Sequence, residues 1–290
     1  MKKTAIIGAS GFVGSYLLKS YRDGFSGTIG TSFSNPGEGL VHFDIRNPVI
    51  SSLNLQDNGI EEVIITSANP NIAFCRDHRE EAYDVNVRGM LKLIESLAKK
   101  SIKPIFLSTD YVFEGTNAPY TDNSSTNPTT EYGRQKEEVE KEIPNITSNY
   151  LVLRLSKIFG VKKGDGTLID DMAGSLAAGK TINVAQDQFF CPTQVEDLVS
   201  AIITVQDKGS TGIYNVCNPE SWSRHEIALK LLEYMQASAS LVNPISLHSI
   251  KSMSDRPLNT SMKPEKLISE TSFKFTRVED SIKRIAELYK

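Results

Sequence analysis

Three groups of residues in this chain have the types and spacing to do chemistry. Tyr132 and Lys136, in "TEYGRQK", stand four residues apart. In a helix that spacing puts a phenol and an ammonium on one face. A tyrosine ordinarily titrates at about 10, and a cation one turn away lowers that value and makes the phenol a usable acid. Alone, the pair also fits an ordinary solvated helix face. Its meaning depends on two neighbours. "GASGFVG" places Gly8, Gly11 and Gly14 after a first predicted strand and at the start of a predicted helix. Such glycines let the backbone turn tightly and approach a pyrophosphate, which the N–H groups and dipole of the helix N-terminus hold. The spacing is G-x-x-G-x-x-G rather than G-x-G-x-x-G. "LSTDYVFEG" ends a predicted central strand and puts Thr109 where α/β folds place ligands. Hydroxyl, phenol and ammonium can converge there on a carbonyl lying against a nicotinamide, and in that company the Tyr–Lys pair reads as catalytic.

The elements that must position these groups alternate. Strands are predicted at "TAIIGA" from Thr4, "TIGTSF" from Thr28, "EVIITSA" from Glu62, "KPIFLSTD" from Lys103 and "YLVLRLSKIFG" from Tyr150. Helical patterns cover Phe12 to Tyr21, the run "EEAYDVNVRGMLKLIESLAKK" from Glu80, and Glu131 to Ile143. Continuous apolar strands separated by amphipathic helices predict an α/β fold, a Rossmann-type doubly wound parallel sheet. After Gly160 the pattern loosens into three helices, short strands at "TINVAQ" and "GIYNVC", and a closing amphipathic helix "VEDSIKRIAELY". The expected organisation is a dinucleotide-binding domain made mainly by residues 1–160. A small C-terminal substrate-binding lobe is made mainly by 161–290, with segments returning to the first domain.

A net charge of −3 with no basic block argues against a nucleic-acid surface, though not against one phosphorylated small ligand. Cys75, Cys191 and Cys217 are odd in number and far apart, so no disulfide framework is visible and a reducing cytoplasm is expected. "CRDH", Cys75 to His78, has the spacing of half a zinc site, but no second pair answers it, and no metal is expected. The basic start "MKK" and the apolar run after it imitate a signal peptide. Glycines at fixed spacing and the return of charge at Lys19, Arg22 and Asp23 mark the segment as folded protein, and no stretch approaches a membrane span.

A NAD site usually carries an acid after the second strand, on the ribose 2′-OH. That place reads "TSFSNPG", with Thr31, Ser32 and Ser34 and no Asp or Glu before Glu38. A 2′-phosphate is therefore tolerated, yet no Arg or Lys precedes Arg46 to neutralise it. NADP is the preferred expectation and NAD the other.

"GASGFVG", "STDYVFEG", "YGRQK" and "RPLNTSMKPEKL" together resemble the extended short-chain dehydrogenase/reductases, and among them the dTDP-4-dehydrorhamnose reductase family, over nearly the whole chain. The resemblance implies a reductase of a 4-keto nucleotide sugar with Thr109, Tyr132 and Lys136 as catalytic triad. It implies a cofactor set of Gly8, Gly11, Phe12, Val13, Gly14, Ser32, Ser34, Asp44, Ile45, Ser67, Ala68, Asn69, Tyr132 and Lys136, with Asp44 of "HFDIRN" on the adenine. Thr109, Tyr111, Lys157, Gln188 and Arg256 are implied for the substrate. "DQFFCPT" matches the family's segment at Gln188 and Pro192. Two positions depart from the pattern. A Trp that packs on the sugar in the rhamnose enzymes is Lys157 here, which makes a different sugar conceivable and requires a partner for the ammonium if it is buried. A Glu of a magnesium-linked dimer is Tyr16 here, so no magnesium is expected, and a homodimer stays open. The same triad serves epimerases and dehydratases that recycle the hydride. Dehydratases usually have Asp-Glu after the Thr, whereas Asp110-Tyr111 follows Thr109. A non-catalytic NADP-binding regulatory subunit, like the beta subunit of methionine adenosyltransferase, shares the motifs.

Overall fold

The computed structural model describes residues 2–25 and 27–290, and the chain forms two compact units. The first comprises Met1–Val112, Thr130–Arg154 and Val199–Tyr214. Its centre is a parallel sheet of seven strands: β1 (Thr4–Ile7), β2 (Gly30–Ser32), β3 (Leu40–His42), β4 (Glu62–Ile65), β5 (Lys103–Thr109), β6 (Leu151–Leu155) and β7 (Gly212–Val216). The order is β7-β6-β5-β4-β1-β2-β3. β1 pairs with β4 on one side, Ile6 opposite Ile64, and with β2 on the other. The strand order therefore reverses at β1, where doubly wound sheets open a crevice. Every residue of β1, β4 and β5 is buried, the polar Glu62 and Lys103 at their starts included, which is why their centres read as apolar runs.

The helices of this unit include α1 (Phe12–Gly24), α2 (Ile72–Asp77), α3 (Arg79–Tyr83), α4 (Met90–Ala98) and α5 (Glu131–Ile146). α4 buries Met90, Leu93, Ile94 and Leu97, the i, i+3, i+4, i+7 stripe of a helix laid on a core. The equivalent stripe of α5 is Lys136, Val139, Glu140 and Ile143. Two of its four core positions are charged. The Lys136 ammonium donates to the Leu107 carbonyl at 2.9 Å. The Glu140 carboxylate is forked by Arg154 of β6, with Nε–Oε2 at 3.0 Å and Nη2–Oε2 at 2.7 Å. Thr130 caps the helix by accepting from the Gly133 N–H at 3.1 Å.

Several elements differ from the sequence expectation. The run from Glu80 is helical through Ala98, but a π-helical turn, Asp84–Gly89, interrupts its pitch between α3 and α4 and buries Asn86. β3 was not anticipated, because "LVH" is short and largely exposed and carries no apolar run. "YLVLRLSKIFG" divides into β6 and a separate short strand, Ile158–Phe159.

The second unit comprises Phe113–Thr129, Leu155–Leu198 and Asn215–Lys290. Helices Leu168–Ala177, Arg224–Met235 and Val278–Glu287 share a core of Ile169, Leu176, Ile227, Leu231, Ile282 and Ile285. A parallel two-stranded sheet pairs Ile182–Ala185 with Val242–Ile245. Ser223 and Glu226 form a reciprocal capping box on the helix that follows.

The Arg154–Glu140 fork yields the first prediction. Arg154→Met leaves the Glu140 carboxylate buried and unpaired, and stability should fall by about 3–5 kcal/mol in denaturant unfolding. Glu140→Leu combined with Arg154→Met should recover most of that loss. A loss below about 1 kcal/mol in the single variant, the level of an exposed pair, would show that the fork does not hold α5 on the sheet.

Candidate cofactor and catalytic site

The turn between β1 and α1 is built by glycine. Gly8 has φ +90°, and a Cβ there would lie 2.5 Å from the Ser67 hydroxyl and 2.8 Å from the Ser67 backbone nitrogen. A Cβ on Gly14 would lie 2.2 Å from the Gly8 carbonyl oxygen. Gly11 is different. It is the N-cap of α1, its φ of −76° suits any residue, no side chain caps the helix, and the nearest atom to an added Cβ is at 3.4 Å. The fold does not require a glycine there. An uncapped helix start without a side chain is what a pyrophosphate needs.

A cleft of about 310 Å³ opens beside this turn. Gly8, Gly11, Ser34, Asp44, Ile45, Ser67 and Ala68 of the expected cofactor set line it. Phe33, Asn35 and Arg46, which the sequence reading did not select, line it too. Arg46 forks Asp44, with Nε–Oδ1 at 2.9 Å and Nη2–Oδ2 at 2.7 Å. That fork holds the Asp44 carboxyl below its ordinary range. Ser32 is buried, with its carbonyl bonded to the Phe43 N–H, and does not line the cleft. Phe12 and Val13 form the first turn of α1. Asn69 is clamped by the Asn86 amide, which accepts from its N–H at 2.7 Å and donates to its carbonyl at 3.0 Å. Asn86 also donates to Gln135 on α5 at 2.8 Å, so the π-helical turn ties the end of β4 to the helix of the Tyr–Lys pair. This buried residue was missed because nothing in the local sequence marks a π-helical turn.

Thr109 ends β5, Tyr132 lies in the first turn of α5, and Lys136 is one turn on. Thr109 Oγ1 donates to Asp110 at 3.2 Å and accepts from the Tyr111 N–H at 3.2 Å. The Lys136 ammonium sits 4.4 Å from the centre of the Phe106 ring and 6.0 Å from that of Tyr132. Burial pushes Lys136 down to about 8, with Glu140 acting in the opposite direction. Tyr132 moves the other way. Burial raises its pKa and Asp110 adds to the rise, while a hydrogen bond with Thr109 opposes it. The expectation that the cation lowers the phenol is therefore corrected for the isolated protein, because desolvation and the Asp110 charge dominate the shift.

Cys75 is buried, its thiol donates to the Asn69 carbonyl at 3.3 Å, and burial pushes its pKa up to about 11. His78 is exposed and stacks on Phe74 with ring centres at 4.7 Å. Among the described residues no cluster of three or more His, Cys, Asp or Glu could hold a metal. Tyr16 packs its ring against Phe12, with centres at 5.5 Å.

Tyr111, also expected at the substrate, is half-buried in the 3-10 turn after β5 in the first unit, and the other substrate expectations lie in the second. Lys157 is exposed, so the cost of a buried ammonium does not arise. Gln188 is buried and accepts from Arg224 Nε at 2.8 Å. Arg256 has a buried Nε with no hydrogen-bond partner among the described residues. An unpaired buried donor is costly unless a ligand meets it.

The whole chain, residues 1–290, matches the family described as RmlD substrate binding domain. The chain belongs to this family. A dTDP-4-dehydrorhamnose reductase of Sinorhizobium fredii is 25% identical over 260 residues, covering 85% of this chain and 86% of that one. Methionine adenosyltransferase 2 subunit beta of Danio rerio is 24% identical over 306 residues, covering 97% and 90%. The crystal structure of dTDP-4-dehydrorhamnose reductase from Bacillus anthracis in complex with NADP superposes with a TM-score of 0.80 at 24% identity, covering 98% of this chain and 99% of that one. As a member of the RmlD family, the chain has the Rossmann-type architecture that its alternating strands and helices predict.

The two glycines separate fold from ligand. Gly14→Ala should lower the melting temperature, because its Cβ meets backbone. Gly11→Ala should leave stability within about 0.5 kcal/mol and weaken dinucleotide binding about tenfold or more, about 1.4 kcal/mol. Calorimetry with and without dinucleotide reads both. Unchanged binding by Gly11→Ala would remove the helix start from the cofactor site.

Proposed function

We propose that this RmlD-family protein is an NAD(P)H-dependent reductase of a 4-keto nucleotide sugar. The observation that carries the reading is the buried Lys136 ammonium 6.0 Å from the centre of the Tyr132 ring, beside Thr109, in the unit that holds the glycine turn. The open helix start at Gly11 and the cleft lined by Asp44, Ser67 and Ala68 suit a dinucleotide. When bound, the reduced nicotinamide supplies hydride to the ketone carbon. The protein's own groups deal with the oxygen. Tyr132 donates its proton to it, and the Thr109 hydroxyl hydrogen-bonds it. The raised pKa keeps the phenol protonated at neutral pH, as an acid must be. The phenolate left behind lies near the Lys136 ammonium, whose place is fixed by the Leu107 carbonyl and the Phe106 ring. We assign the cofactor to the first unit and, from the resemblance at Gln188 and Arg256, much of the sugar nucleotide to the second. NADP is the preferred cofactor and NAD the alternative.

No helix among the described residues is long and apolar enough to cross a membrane, and the three free cysteines are buried, in keeping with a reducing cytoplasm. The regulatory-subunit relative is matched over more of both chains than the Sinorhizobium reductase is, so the decisive experiment is chemical. Purified protein with dTDP-4-dehydrorhamnose should consume NADPH in stoichiometric amounts. An epimerase converts sugar without consuming it, and a regulatory subunit does neither.

Two outcomes follow from the site. Tyr132→Phe should lower turnover by about a hundredfold or more, within the usual span of general-acid catalysis, while cofactor affinity stays near wild type. Near wild-type turnover in that variant would return the pair to a helix face. The Lys136 ammonium is charged below about 8 and lost above it. The rate constant kcat/KM, which reports ionisations of the free enzyme, should therefore decline as pH rises through that value. A flat profile well above it would show that Lys136 keeps its proton or is not needed charged.

A further inference from the structure

We propose that Arg46, stacked on Phe33, is the residue that recognises a 2′-phosphate on the adenosine ribose and so sets the preference for NADPH. The inference rests on the reading of the cleft beside Gly8 as the cofactor site.

The segment after β2 carries no cation and no carboxylate before Glu38. The sheet supplies the cation from the next strand. β2 and β3 run parallel with Ser32 opposite His42, so the turns leaving them start side by side. Phe33 follows Ser32, and Asp44 and Arg46 follow His42. The Arg46 guanidinium lies 4.8 Å from the centre of the Phe33 ring. Phe33 is one of the few large apolar side chains left half exposed, at 50%. An aromatic face on the rim of a cleft has a use if it holds a guanidinium in place, since Arg is favoured for stacking and for phosphate recognition.

The fork does the rest. Arg46 Nε and Nη2 are spent on the Asp44 carboxylate. A guanidinium has five N–H donors. The fork uses two, and those that remain have no hydrogen-bond partner among the described residues, on a side chain that is 50% exposed and that also feels the charge of Asp84. Pairing also cancels the Asp44 charge, which would otherwise repel a phosphate. Ser34 and Asn35 line the same cleft and add a hydroxyl and an amide. The site is thus neutral at Asp44 and rich in donors at Arg46, an arrangement that accepts a 2′-phosphate without a basic residue in the β2 turn.

The test is titration calorimetry of wild type, Arg46→Gln and Arg46→Lys with NADPH, NADH, adenosine 2′,5′-bisphosphate and 5′-AMP. Wild type should bind NADPH more tightly than NADH. Arg46→Gln should lose about tenfold or more for NADPH and the bisphosphate, about 1.4 kcal/mol, with NADH and AMP within about twofold, below 0.5 kcal/mol on the same scale. Arg46→Lys, which keeps the charge without the fork, should fall between. An equal loss for phosphorylated and unphosphorylated ligands would mean that Arg46 stacks on adenine, and no loss would mean that it faces water. Either result overturns the proposal while leaving the cofactor site intact. A wild type that binds none of the four ligands overturns the cofactor reading itself.

Discussion

The Lys136 ammonium is 2% exposed, at a position on α5 that would otherwise take an aliphatic residue. Burying an unpaired ion costs several kcal/mol, so the surroundings must answer it. The Leu107 carbonyl accepts from it, the Phe106 ring faces it, and Glu140 lies one turn further along α5. Glu140 is itself buried and needs its own partner, which is Arg154 of β6. The chain of obligations runs from α5 to β5 to β6. It fixes the register of the helix on the sheet, and Tyr132 and Thr109 are placed as a consequence.

The same burial sets the chemistry. Desolvation penalises whichever form is charged. It pulls Lys136 down to about 8 and pushes Tyr132 up. The pair is thereby held as a protonated phenol beside an easily lost ammonium charge. For the reduction proposed above that is the useful state, since the phenol has a proton to give and a cation nearby when it has given it. Asp110, bonded to Thr109, strengthens the effect on Tyr132. An argument from the Tyr–Lys spacing alone counts the attraction and omits the desolvation, and so has the direction of the shift reversed.

What could be read without coordinates was what leaves a periodic or compositional trace. β1, β4 and β5 are buried along their whole length, so their apolar runs and the glycines between β1 and α1 were legible. β3 left no trace because its outer residues face water. The π-helical turn holding Asn86 was invisible because one extra residue in a helix has no signature, and the amide's partners, Asn69 and Gln135, are distant in sequence. Whether Lys157 is buried or turns to solvent was left open by the sequence, and it is exposed. Arg46 was passed over because the search for a cation followed the chain beyond β2, whereas its place is decided by the neighbouring strand.

That last case shows how a chain of net charge −3 can present a site suited to a polyanion. Net charge governs the far field, but a cleft responds to the groups within a Debye length, about 8–10 Å. Here the carboxylate that lines the cleft, Asp44, is already matched by Arg46, and Asp84, which also acts on Arg46, is paired with Arg88. The open start of α1 contributes the positive end of a helix dipole, equivalent to roughly half a charge. Gly11 adds no side chain to obstruct it. The local balance is therefore positive, produced by one matched pair and one uncapped helix rather than by a basic patch. A composition count cannot see it because the residues that make it sum to nearly zero.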